Sequence, residues 1–457
     1  MNASNRQDHP MNASKGLVSG MAGFSTMWAG QLVSLLGSAM SRFAITVWAW
    51  QETGQASSLA LIGFFSFAPT VLLSPLAGAL VDRWSRKLVL ILSDVAAALS
   101  TVMLLLFHMQ GILSLGHVFM LGMFASAFEA FQLPALTASI SMMVDQRNYA
   151  RANAMHGSVR FASSLAAPAL ASTLLVLIGL RGILLIDLCT FACAMGTLAV
   201  VRIPRSRAVE VSGKSRLRDD ILAGFRYVRT RPSLLWLIGL LFVLNLPGAA
   251  AMITFPALIL ARTGDNEIVL GISQSFMGVG GVAGGIAVAI FASRIRDRMR
   301  FVLWTRGIRR VAAFLVLGIA QHPILWCLGA FSATFFSVVA TSVNTSMLQS
   351  KVPNEMQGRF FSLYRVVGQL TIPLGFLLAG PLVDHVLEPG MRSDTGLSRL
   401  LGPLVGTGPG AGMGTLFFIC ALFGVLTCVV AFAVRSLREL ETTLPDREVD
   451  KTIAEEK

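Results

Sequence analysis

Two ionisable side chains stand deep inside long apolar stretches of this chain: Arg42 within residues 23–50 and Glu129 within residues 114–143. A charge at membrane depth is costly, and residues that persist there tend to handle protons, ions or substrate. Glu129 lies about 15 residues, or ~22 Å of helix, from the C-terminal end of its stretch. Arg42 sits at a comparable depth and is its candidate counter-ion; the structural alternative is a fixed Arg42–Glu129 pair that only ties two helices together. Gln132, Asn245 and Asn344 are polar residues in apolar surroundings, suited to touching substrate or to hydrogen-bonding between helices. Asp187 reads as structural, and Arg365, close after Arg359, as an arginine that snorkels to the interface.

Other chemistry is not encoded. The chain has no Walker loop, so ATP is not the expected energy source, and no His/Cys/Asp group has metal-ligand spacing. The run Gly406-Thr-Gly-Pro-Gly-Ala-Gly-Met-Gly414 follows no strand and fails the Gly-x-Gly-x-x-Gly spacing, so it reads as a flexible outer loop. No cofactor and no enzymatic activity are expected. The five cysteines lie in apolar runs without a C-x-x-C pair and read as small buried residues.

The elements that must position these residues are membrane helices. The 457 residues are 54% hydrophobic and only 13% charged, about half the charge of a soluble domain. Twelve apolar stretches are long enough to span a bilayer. They fall near 23–50, 57–81, 88–108, 114–143, 153–178, 182–202, 233–261, 268–292, 301–320, 323–349, 360–386 and 411–435. The net charge of +13 is not a nucleic-acid footprint, because the basic residues sit between spans rather than on a solvated face. With both termini cytoplasmic, the inner loops hold Arg83, Arg86, Lys87, Arg147, Arg151, the 202–231 cluster, Arg294, Arg296, Arg298, Arg300 and Lys351. The outer loops then hold only Arg181, Arg262, Arg392 and Arg399, the asymmetry that sets orientation.

The chain also repeats. Trp28/Trp236, Gly63/Gly271, Arg86/Arg294, Val144/Val352 and Arg151/Arg359 share a constant offset of 208 positions. Two parallel six-span halves follow: a tail at 1–22, a first half at 23–202, a linker at 203–232, a second half at 233–435 and a tail at 436–457. In the linker Leu217, Ile221, Phe225 and Val228 recur at helical spacing opposite arginines, which predicts an amphipathic helix on the cytoplasmic surface.

Between the second and third spans stands Gly78-Ala-Leu-Val-Asp82-Arg83-Trp84-Ser85-Arg86-Lys87, and the spacing Gly-x-x-x-Asp-Arg-x-x-Arg-Lys resembles the hinge motif of the major facilitator superfamily. Gln31 through Gly37-Ser38, Thr53-Gly54, Asp94, Lys351-Val-Pro353 through Gly358-Arg359, and Ala379-Gly-Pro-Leu-Val-Asp384 extend the likeness over about 24–445. Together they resemble its drug/proton antiporter branch, with the macrolide-efflux and enterobactin-exporter proteins. The fifth span departs from that branch, with alanines around Pro168 where glycines are expected.

The resemblance implies an all-α fold of twelve transmembrane helices in two pseudo-symmetric halves, with helices one, four, seven and ten lining a central cavity. It places Glu129, Arg42, Gln132, Asn245 and Asn344 toward substrate. It also implies a conformational latch in which Gly78 packs closely, Asp82 meets the start of the eleventh helix near Arg359, and Arg86 pairs with Asp145, with Arg83 and Lys87 beside them. The expectation is a proton-driven exporter of amphiphilic small molecules in the inner or plasma membrane, working by alternating access as a monomer in the lipid bilayer. An importer or lysolipid flippase of the same fold is the alternative, and a non-transporting sensor or partner subunit the rival of another class.

Overall fold

The computed structural model describes residues 20–81, 84–201, 225–393, 396–438 and 441. Helices dominate, as a lipid-exposed chain requires, because only a helix or a closed barrel satisfies every backbone N–H and C=O without water. In chain order α1 is Gly20–Thr53, α2 Ala56–Val81, α3 Arg86–Met109 and α4 Leu115–Met143. A continuous stretch, Tyr149–Val200, is broken by Gly179 at φ 66°, giving α5 (149–178) and α6 (180–200). Only glycine adopts that backbone readily, so the sharp link between the fifth and sixth spans depends on it.

The second half begins with α7, Pro232–Thr263, followed by α8, Glu267–Phe291. Next is α9 (298–319), in which helix Arg298–Arg309 passes into a π turn at Arg310–Leu315. α10 is Pro323–Lys351, α11 is Asn354–Arg392 with a second π turn at Val383–Leu387, and α12 is Ala411–Ala433. Among the described residues these twelve helices result, each overlapping a stretch expected from hydropathy, and ten continuous helical stretches are long and apolar enough to cross a membrane.

Two expectations need correction. Of the loop expected at 406–414 only residues 406–410 lie outside helix, since helix Gly396–Val405 precedes them and α12 already begins at Ala411. The glycines of that stretch do bind an anion, but an internal one, since Gly410 N and Gly412 N donate to the Glu388 carboxylate at 3.0 and 2.7 Å. Cys189 and Cys193 are exposed on the helix surface; only Cys420 and Cys428 are buried. Trp50 is buried and donates to Asp265 at 2.8 Å. The predicted amphipathic helix of the linker lies mostly outside the described residues.

The packing shows which end of the molecule is closed. We call the end bearing the start of α1 and the end of α12 the terminal face, and the opposite end the far face. At the terminal face two buried clusters stay separate. One gathers Phe24, Val81, Leu90 and Met143 of the first half; the other gathers Leu234, Met299, Leu348 and Phe360 of the second. Toward the far face a single cluster joins both halves, from Val47 and Leu59 to Phe255, Leu258 and Phe417. Direct contact between halves runs through α5 with α8 and α2 with α11. It is close: a Cβ on Gly278 would lie 2.6 Å from the Leu165 Cα, and one on Gly380 2.5 Å from the Ser57 Cα. Among the described residues, buried packing therefore joins the halves toward the far face and not at the terminal face.

Candidate functional site

The first half walls a cavity of about 530 Å³. Arg42 on α1, Asp94 on α3, Glu129 and Gln132 on α4 and Asp187 on α6 all line it, and Met252, Ile253, Pro256 and Phe376 of the other half border it. Glu129 and Arg42 have exposed side chains and form no ion pair with each other. The fixed pair considered from sequence is thus not formed. Arg42 instead lies within electrostatic range of Asp187.

Asp94 is the residue that sequence reading passed over as a mere motif member. It is 2% exposed and held from two sides, by Gln31 Nε2 at 3.1 Å and Gln132 Nε2 at 2.9 Å. Gln132 therefore serves a carboxylate as well as facing the cavity. The signal was available, since Asp94 is the one acid in the apolar run 88–107. Asp187, also buried, accepts from Ser38 of α1 and Thr101 of α3, each at 3.2 Å, which ties three helices together as a structural residue would.

The second half has a pocket of its own, about 560 Å³, between α7, α9, α10 and α11. Asn245 lines it. Asn344 lies behind the wall, fully buried, and donates to the Tyr364 hydroxyl at 2.9 Å; Tyr364 then faces the pocket. Arg365, expected to snorkel, also faces it, together with Arg306, Arg309 and Arg310 of α9. Those three arginines were not singled out from sequence, although three charges at i, i+3 and i+4 inside a span were visible. The π turn beginning at Arg310 shifts the helical phase, and such bulges recur at functional sites.

The latch residues are found in part. Asp82 and Arg83 lie outside the described residues, as does the side-chain environment of Gly78, which belongs to α2. Arg86 contacts the Met142 sulfur rather than Asp145, and Asp145 pairs with Arg147 at 3.7 Å in a largely exposed position. Lys87 donates to the carbonyl oxygens of Ala199 and Val201 at 3.3 and 2.8 Å, holding α3 to the end of α6. Arg359 is exposed on the first turns of α11.

At the far face the halves are joined by polar contacts that sequence reading did not anticipate. Both oxygens of Asp384 accept backbone N–H groups at the start of α2, from Ala56 at 3.0 Å and Ser57 at 2.7 Å. The first N–H groups of a helix lack intrahelical partners and carry partial positive charge, so a carboxylate fits there. Gln51 donates to Glu267 at 2.8 Å nearby. A carboxylate at a helix start was expected across the terminal face; one is present across the far face.

Comparison with known proteins agrees with this architecture. The family model of the Major Facilitator Superfamily matches residues 27–376. Macrolide efflux protein A of Streptococcus pyogenes is 27% identical over 374 residues, covering 79% of this chain and 90% of the relative. The multidrug efflux pump Tap of Mycolicibacterium fortuitum is 24% identical over 368 residues, covering 77% and 87%. Among solved structures, a bacterial homolog of the human lysosomal transporter Spinster, inward-facing and unoccupied, superposes with a TM-score of 0.63 at 15% identity, covering 93% of this chain and 98% of that one. A bacterial homologue of the iron transporter ferroportin, inward-facing, also gives 0.63 at 14% identity, covering 89% and 98%.

Proposed function

The chain belongs to the Major Facilitator Superfamily, and from that membership we propose that it exports amphiphilic small molecules in exchange for protons, by alternating access. The observation that carries this reading is the first-half cavity. It combines a large apolar lining with an exposed, unpaired Glu129 and a buried Asp94 held by two glutamines. Apolar walls suit a hydrophobic cargo with few convergent polar groups, and acids at membrane depth suit a proton relay. Both efflux relatives named above support the direction of transport. The excess of arginine and lysine on the terminal face supports placing that face, and both termini, in the cytoplasm.

The test is a panel of drugs and metabolites presented to everted membrane vesicles carrying a pH-sensitive dye. Substrates of the transporter should release protons from the vesicle lumen as they enter it. Glu129→Gln should bind the same substrates yet lose the dye response by at least about tenfold, as expected where a proton carrier is removed from the cavity. Unchanged coupling in Glu129→Gln would remove this residue from the mechanism, and a panel with no dye response for any substrate would remove proton antiport.

A further inference from the structure

The second-half pocket presents an electrostatic problem that the proton relay does not solve. Arg306, Arg309, Arg310 and Arg365 all line it, and among the described residues no carboxylate does. Guanidinium groups remain charged at neutral pH. Arg306 and Arg310 are about 12 and 18 Å along α9 from Arg298, and Arg365 about 16 Å along α11 from Asn354, so the cluster sits at membrane depth. Arg310 is only 3% exposed. It donates to the Leu244 carbonyl oxygen at 2.6 Å and stacks over Phe314 at 4.5 Å. Those contacts leave its Nη1 without a partner among the described residues, and the buried Nε atoms of Arg306 and Arg309 are in the same condition.

Buried charges are normally paired, and buried donors normally bonded. Four like charges converge here on one largely polar pocket, and three guanidinium N–H donors among them have no acceptor among the described residues. Arginine forks fit phosphate and carboxylate oxygens geometrically. The pocket is several times larger than an inorganic anion needs, so it has room for part of an organic body. Across the central space the first half offers carboxylates at similar depth, Asp94 and Glu129, so the two walls carry opposite charge.

We propose that this arginine pocket binds an oxyanion group, phosphate or carboxylate, borne by the amphiphilic cargo. The inference rests on the transport reading above and adds to it the chemical class of the cargo's polar end. Hydrophobic bulk would lie against the apolar first-half cavity while the oxyanion seats among Arg306, Arg309, Arg310 and Arg365.

The experiment uses the full chain in phosphatidylcholine nanodiscs, titrated with hexyl phosphate and with hexanol. Hexyl phosphate should bind saturably and hexanol should not compete for the arginines. Arg306→Gln and Arg365→Gln should each weaken hexyl phosphate about tenfold, the scale of one charge-assisted hydrogen bond, with hexanol binding unchanged. These two positions are chosen because Arg310 packs so closely that its loss could unfold the helix pair. Equal affinity for the two probes, or unchanged phosphate affinity in both variants, overturns the proposal. Repeating the titration with phosphatidylglycerol in the disc separates the sources. Competition by that lipid assigns the site to a headgroup and overturns the cargo assignment, whereas undiminished binding supports it. Loss of anion binding with proton-coupled export intact counts against this inference alone; anion binding without proton coupling counts against the transport reading alone.

Discussion

Asp94 shows how one buried carboxylate can organise a cavity wall. It accepts from Gln31 on α1 and Gln132 on α4 while sitting on α3, so three helices converge on two oxygen atoms. Asp94→Leu removes both acceptors at once and strands two amide donors. Each stranded donor costs about 1–3 kcal/mol, so this variant should melt well below wild type in detergent. Gln132→Leu removes only one bond and should cost less. Equal melting of the two variants would mean that the glutamine clamp contributes little. Glu129 was legible in the sequence because an acid in an apolar run needs no neighbours to be conspicuous. Arg306, Arg309 and Arg310 were equally conspicuous by composition. What made them a site is invisible locally: whether α9 turns them to lipid or to a pocket depends on α7, α10 and α11, and on the π turn that starts at Arg310.

At the scale of elements, the far-face contact between α11 and α2 is the clearest device. Pro381 and the π turn at Val383–Leu387 interrupt α11 where Asp384 must leave the regular helix to reach the start of α2. The carboxylate then satisfies Ala56 N and Ser57 N. Removing such a cap costs about 0.5–2 kcal/mol. Because α2 and α11 belong to different halves, that cost falls on the far-face-closed arrangement rather than on either half. Asp384→Ala should therefore shift the population toward opening at the far face by a few-fold or more, while each half stays folded. Spin-label distances between the far ends of α2 and α11 would read the shift; an unchanged distance distribution would reduce Asp384 to a local cap. Hydropathy placed α2 and α11 correctly, and Asp384 was visible as the end of Ala379-Gly-Pro-Leu-Val-Asp384. Its partner was not, because 328 residues separate it from Ala56.

For the whole molecule, the uneven distribution of contacts carries the argument. One buried cluster joins the halves toward the far face, while two separate clusters hold each half together at the terminal face. The proposed rocking between two closed ends would leave the two terminal-face clusters intact, because each lies within one half. Arg86 and Asp145 are occupied with Met142 and Arg147 rather than with each other, so the expected latch pair would have to form in another arrangement of the halves. Gln51 and Glu267 provide the decisive position, since their 2.8 Å hydrogen bond links the end of α1 to the start of α8 at the far face. Replacing both with cysteine and bridging them with a short dithiol-reactive linker should hold the far face shut. Transport should then stop, while a cysteine placed at Thr345 in the arginine pocket should stay open to a membrane-impermeant reagent applied from the terminal face. Continued transport in the bridged protein would rule out opening at the far face as a step in the cycle.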